Sequence, residues 1–319
     1  MSYIFKFSIL SLIIISLPGH TIDASKVMGP DECTECHDVE NSIWENTHHF
    51  NTYENMPEQD EANSIAEKLG IDDVIESETC QSCHLTLQES EGEKEVIAGV
   101  TCESCHGAGK EWMEIHSEED KTPEQAKQLW AQSEAAGMIR PGNLIQLAGN
   151  CLDCHLVKNE KLVNIAEHTP GSEFNLVTWS QGEIRHNTFH SENGENRKAT
   201  AEKQRKMLII GSTLELQRAI LAHSDAKQVD GKYAKEMAKR IEKTKKQITE
   251  FANSKASPLF DELNNVAKSA PAKDMVGNKS IAKQLSTVLE KIQSADAKSW
   301  QALDAIIKSL GESKGEAQE

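Results

Sequence analysis

Apart from one short apolar run at its N-terminus, this 319-residue sequence has no stretch suited to spanning a membrane, and it has no cysteine to spare. The run from Phe7 to Leu17 follows Lys6 and ends at Pro18-Gly19. That length suits the hydrophobic region of a secretory signal rather than a bilayer span, so residues 1–24 are expected to be removed after Ala24. No cysteine stands at that cut, which argues against a lipid anchor. Alternation of apolar and polar residues is missing between Ser25 and Arg197, so no sheet is expected there. Cations are scarce in the same stretch, with 11 Lys and Arg against 34 Asp and Glu, a net −23. Residues 198–319 carry 22 against 16, a net +6. Such asymmetry argues for two regions with different jobs, 25–197 and 198–319. No nucleic-acid partner is expected.

All eight cysteines fall in four copies of Cys-x-x-Cys-His: Cys33, Cys36 and His37; Cys80, Cys83 and His84; Cys102, Cys105 and His106; Cys151, Cys154 and His155. This is the attachment pattern of c-type haem, in which both thiols form thioethers and the histidine ligates the iron. Paired Cys-x-x-Cys units can also build zinc ribbons or redox dithiols. Neither use explains a histidine after the second cysteine every time. Four covalently bound haem c groups are therefore expected, all in the acidic region. Thioether formation would also remove eight thiols that an oxidising compartment would otherwise attack. Export to the periplasm or the cell exterior fits both this and the N-terminal segment.

The expected fold is mainly α. Gly29-Pro30, Gly107, Gly109, Pro141-Gly142 and Pro170-Gly171 cut the acidic region into short helices and loops between motifs. Haem faces would supply apolar surface that so broken a segment lacks. The basic region reads as a helical bundle. Its stripes are Met207, Ile210, Leu214 and Leu221; Met237, Ile241, Ile248 and Phe251; Ile281, Leu285, Val288, Leu289 and Ile292; and Trp300, Leu303, Ile307 and Leu310. Pro258 and Pro271 fall between stripes, where breaks are expected.

Each motif histidine supplies one axial bond, leaving one position per iron. Eight histidines lie outside the motifs, and His20 leaves with the signal. The candidates are His48, His49, His116, His168, His186, His190 and His223. His49 follows the first motif too closely for a comfortable bond to its own iron. His116 follows Gly107 and Gly109, which would let the backbone approach a porphyrin. His186 and His190 are four apart and would share one face of a helix, an arrangement that also suits zinc. His223, at the end of an amphipathic stripe, reads as a surface residue.

Two stretches resemble the multihaem cytochromes related to the tetrahaem cytochrome c-554 of ammonia oxidation. They are Cys33 to His37 followed by Trp44-x-x-Thr-x-His49, and Gly99 to Gly109 with His116 beyond. Motif separations of 47, 22 and 49 residues are also similar. The resemblance covers roughly residues 31–190 and implies a crossed ligand pattern. His116 would bind the iron of the first motif and His49 that of the third. The fourth would take His186, with His190 second. The iron of the second motif can lack a protein ligand in that family, but His168, in Glu167-His168-Thr-Pro-Gly171, resembles a distal-ligand segment and would fill the place.

Arg140, Arg185 and Arg197 are candidates for pairing with haem propionates. Trp44, Trp112 and Trp179 would pack on haem faces or fill core. The function expected is electron transfer between a redox donor protein and an acceptor, with acidic surroundings lowering potentials and steering electropositive partners. The alternative is an enzyme acting on nitric oxide, hydroxylamine or nitrite at a five-coordinate haem. The charge split also allows a homo-oligomer, the basic region of one protomer on the acidic region of another.

Overall fold

The computed structural model describes residues 22–118, 121–189, 191–271 and 274–318. The run from Phe7 to Leu17, His20 and His190 lie outside the described residues. The fold is mainly α, 62% helical with 4% strand. Among the described residues no helix is long and apolar enough to cross a membrane.

The acidic region consists of short helices, with one departure from expectation. Thr86–Ser90 and Glu93–Ala98 form an antiparallel hairpin between the second and third motifs. Glu91 and Gly92 turn it with φ of 55° and 85°. Two successive positive φ angles make the kind of turn that matches strand twist. The usual Asn-Gly signal is replaced here by Glu-Gly, and Glu-rich flanks hide the alternation. Thr86 Oγ1 donates to the Gly99 carbonyl at 2.7 Å, which ties the hairpin to the start of the third motif. A small apolar cluster of Met56, Ala66, Val74 and Leu85 packs beneath Cys80.

Among its described residues the basic region holds four long helices: Ala201–Asp225, Lys232–Asn253, Pro258–Lys268 and Met275–Ser294. Thr200 caps the first by accepting from Lys203 N, and Asp274 caps the last by accepting from Gly277 N. Pro258 does fall at a break, after the Lys232–Asn253 helix has ended. It stands at the first helical position, where its missing N–H and fixed φ suit a helix start, and Phe260, Leu263 and Ala267 are buried behind it.

Ala201–Asp225 is the central helix. Met207, Leu208, Ile209, Ile210, Leu214, Leu216, Ala219 and Ile220 are buried around its circumference, as befits a helix enclosed by neighbours. Lys232–Asn253 and Met275–Ser294 flank it, and so does Leu144–His155, the helix that carries the fourth motif. One continuous apolar core therefore runs from Leu144 to Leu303, across the boundary expected at 197/198. Gly211 permits this packing, since a Cβ there would lie 2.9 Å from the Leu176 Cβ. The C-terminal tail returns to the acidic region. Lys314 N donates to the Thr178 carbonyl at 3.0 Å, and the Lys314 carbonyl accepts from Glu183 N at 3.1 Å.

Candidate haem-binding site

Each motif closes a short helix: Pro30–Thr34 and its following turn, Glu78–His84, Cys102–His106 and Leu144–His155. In a helical turn, positions i, i+3 and i+4 share one face, so both thiols and the imidazole of a motif point the same way. None of the eight cysteines forms a disulfide. The third motif ends at Gly107, with φ of 87°, where a Cβ would meet the Gly137 carbonyl oxygen at 2.3 Å. The close approaches made by Gly107 and Gly109 are thus to neighbouring protein atoms.

Every motif histidine faces a second histidine ring. His37 faces His116 at 6.4 Å between centres, His84 faces His168 at 6.4 Å, His106 faces His186 at 6.1 Å, and His155 faces His49 at 6.2 Å. Two imidazole nitrogens bonded to one metal at about 2.0 Å each set ring centres roughly 6 Å apart. The four gaps fit one iron each.

The other ring nitrogen is occupied in most of these histidines. Nδ1–H donates to a backbone carbonyl in His106 (Ile139, 2.9 Å), His116 (Met113, 2.6 Å), His168 (Thr169, 2.7 Å) and His186 (Ile184, 2.6 Å). His155 Nδ1 lies 2.8 Å from Ser172 Oγ, and His37 Nδ1 lies 3.5 Å from Glu40 Oε2. A carbonyl can only accept, so Nδ1 carries the proton and Nε2 keeps its lone pair for a metal. Burial also holds His106 and His155 down to about 4, and lowers His49, His84 and His116. Neutral imidazole is the form that ligates. His48, by contrast, is exposed and pairs with Glu183 at 2.7 Å. His223 sits in the last turn of the central helix.

Among the described residues three buried side-chain polar atoms lack a protein partner, Arg185 Nε, Trp112 Nε1 and Thr244 Oγ1, and the first two lie beside the paired histidines. Arg185 is 4% exposed and precedes His186, while the Trp112 ring stands 5.1 Å from that of His116. An orphaned guanidinium N–H beside a candidate ligand histidine fits a haem propionate. The other two arginines have different occupations. Arg140 pairs with Glu134 and stacks over Trp130, and Arg197 pairs with Glu195. Trp179 packs on His155 at 4.7 Å, and Trp44 donates from Nε1 to the Val100 carbonyl at 2.8 Å.

Residues 32–107 match the family model described as cytochrome c554 and c-prime. Over those residues the chain is similar to that family. No curated protein and no solved structure matches it. The match spans three motifs and His49, but not the fourth motif, His116, His168 or His186. Such a match implies covalently bound haem c and a c-type cytochrome of electron transfer.

Two of the facing pairs differ from the expected ones. His49 faces the fourth motif rather than the third, and His186 the third rather than the fourth. The His49 backbone does lie beside the third motif, its carbonyl accepting from Val100 N at 3.0 Å, but its ring is directed at His155. His186 is placed by a loop that crosses back. Asn196 Nδ2 donates to the Gln318 carbonyl at 2.6 Å and also to the Arg185 carbonyl, and Asn187 Nδ2 reaches the Arg197 carbonyl at 2.9 Å.

A further residue was not legible as functional. Glu103, between the cysteines of the third motif, is 1% exposed. Its carboxylate accepts from Met28 N (2.9 Å), Gly29 N (2.9 Å) and Gly109 N (2.6 Å), which pins the approach to the first motif against the third. Acidic residues are so frequent in this region that nothing in the sequence marks this one.

Proposed function

We propose that the chain is an exported electron-transfer protein with four covalently bound haem c groups, each held between two histidines. The observation that carries this reading is the set of four facing histidine pairs, each containing one motif histidine. Haem iron ligated in this way supplies reversible one-electron exchange, at a potential set by ligands, burial and nearby charge. The eight cysteines would hold the groups covalently, and the paired imidazoles would exclude small ligands from the iron. His168 opposite His84 speaks against an open position at the second motif.

The motifs stand close enough for transfer among them. The Cys33 and Cys102 side chains are neighbours, and so are those of Cys83 and Cys154. Asn150 Nδ2 donates to the Cys105 carbonyl at 2.9 Å. The motifs are therefore ordered first, third, fourth, second in space. The donor and acceptor are redox proteins, and the acidic region, net −23, would steer electropositive partners to it at salt-sensitive rates.

A pyridine haemochrome assay should give four haems per chain, none extracted by acid-acetone, and the ferric protein should be wholly low-spin. Release of haem, or one high-spin haem in four, would defeat the reading. The pairs should also differ spectroscopically. The rings of His37 and His116 are nearly parallel, at 7°, whereas those of His106 and His186 cross at 82°. Parallel ligand planes split two iron d orbitals that crossed planes leave nearly degenerate. Electron paramagnetic resonance should resolve one rhombic signal and one of much larger anisotropy, and four identical rhombic signals would contradict the geometry.

A further inference from the structure

The loop from Glu167 to Glu173 serves two centres. His168 faces His84 of the second motif, and Ser172 Oγ holds Nδ1 of His155 in the fourth. The loop is short of regular structure and contains two positive φ angles, 63° at Glu167 and 122° at Gly171. Its local support is a bridge between Leu156 and Gly171 and three backbone hydrogen bonds: His168 N to the Leu162 carbonyl (3.0 Å), Val157 N to the Pro170 carbonyl (3.3 Å) and Ser172 N to the His155 carbonyl (3.1 Å).

Lys68 pairs with Glu167 at the start of the loop, and the basic region holds its other end. Arg240, on the Lys232–Asn253 helix, is 9% exposed. Its Nη2 donates to the carbonyls of Gly171 (2.8 Å) and Ser172 (2.9 Å), while Nη1 reaches Glu215 Oε1 on the central helix at 3.1 Å. A Cβ on Gly171 would lie 2.4 Å from the His155 carbonyl oxygen and 3.2 Å from Arg240 Nη2, so the loop is clasped between the motif and the guanidinium. A second arginine repeats the relation. Arg218 on the central helix donates from Nε to Asp153 Oδ1 at 3.0 Å, inside the fourth motif itself.

We propose that Arg240 is a positioning residue for two haem ligands at once, holding Ser172 against His155 and presenting His168 to His84. The inference rests on reading those histidines as axial ligands. A planar fork with fixed donors can span two adjacent carbonyls and a carboxylate together, which a neutral amide cannot. Without it, two part-buried carbonyls lose their donor and Glu215 is left without its cation. The helical region would then be part of the haem apparatus through a residue more than fifty positions beyond the last ligand it positions.

The test uses the full-length holoprotein. His168→Ala and His49→Ala first mark the signals of the second and fourth haems, each by turning one haem high-spin. If neither does so, the ligand reading itself fails. With the signals marked, Arg240→Gln is expected to convert part of the second haem to the high-spin form and to shift the signal and potential of the fourth. The other two haems should remain as in the parent. Arg240→Lys should restore part of the loss, and Lys246→Gln, on the exposed side of the same helix and away from the loop, should change nothing. Unaltered signals in Arg240→Gln, or equal changes at all four haems, would overturn the proposal. Should that variant fail to fold, Ser172→Ala decides: a shift confined to the fourth haem supports the proposal, and no shift overturns it.

Discussion

Removing residues 198–319 is expected to leave four haems attached but only the first site in its native low-spin form. The proposed thioether bonds would lie wholly in the acidic region and would survive truncation. The non-covalent support does not. Leu144, Leu152, Leu156, Val163, Leu176 and Val177 are buried in the core that the basic region completes. Exposing six such side chains costs on the order of 10 kcal/mol at ~1.5–3 kcal/mol each. That equals most or all of the ~5–15 kcal/mol by which a domain is stable.

Three sites lose a specific anchor in the same step. The fourth motif helix loses Arg218 from Asp153. The loop bearing His168 loses Arg240. The segment bearing His186 loses the C-terminal tail, whose Lys314 carbonyl would meet a Cβ on Gly182 at only 1.8 Å. The first site, His37 with His116, draws its ligands from residues before 118 and keeps its Met113 and Glu40 contacts. The measurements are a thermal melt and spin quantitation of the truncated ferric protein. A melting temperature equal to that of the full chain, with all haems low-spin, would show that the helical region plays no part in holding them. Charge contributes little to this docking energy, because exposed ion pairs are individually worth about 0–1 kcal/mol.

Much of this arrangement can be read from residues alone, and the parts that cannot have physical reasons. The motifs are local, and so are the helices built on Met237, Ile241 and Ile248 or on Ile281, Leu285 and Val288, all of them buried as their spacing implies. The shared core was also visible in principle: Leu144, Ala148, Leu152 and Leu156 recur every four residues through the fourth motif, a stripe too apolar to face solvent. A motif read for its chemistry draws attention away from its packing. Pro258 shows a different ambiguity, because proline both ends helices and opens them, and only the buried Phe260, Leu263 and Ala267 behind it decide. The pairing of His49 and His186 is of another kind. It depends on which way a ring leaves its backbone and on a loop tied to the chain's far end by Gln318, neither of which sequence distance records.

That exchanged pairing leads to the sharpest expected result. His49→Ala should turn the haem of the fourth motif high-spin, and His186→Ala that of the third. Each variant removes an imidazole from one side of an iron and leaves the motif histidine in place, so one haem in four changes and three do not. The two outcomes are separable by ring geometry. His106 and His186 cross at 82°, so the strongly anisotropic resonance should vanish in His186→Ala and persist in His49→Ala. The pair of His49 and His155, at 48°, would supply the signal lost in the latter. His48 is a poor substitute for its neighbour because it points outward, 91% exposed, and is engaged by Glu183. Loss of the most anisotropic signal in His49→Ala would instead place that residue on the third motif. A wholly low-spin spectrum in either variant would remove that histidine from the ligand set.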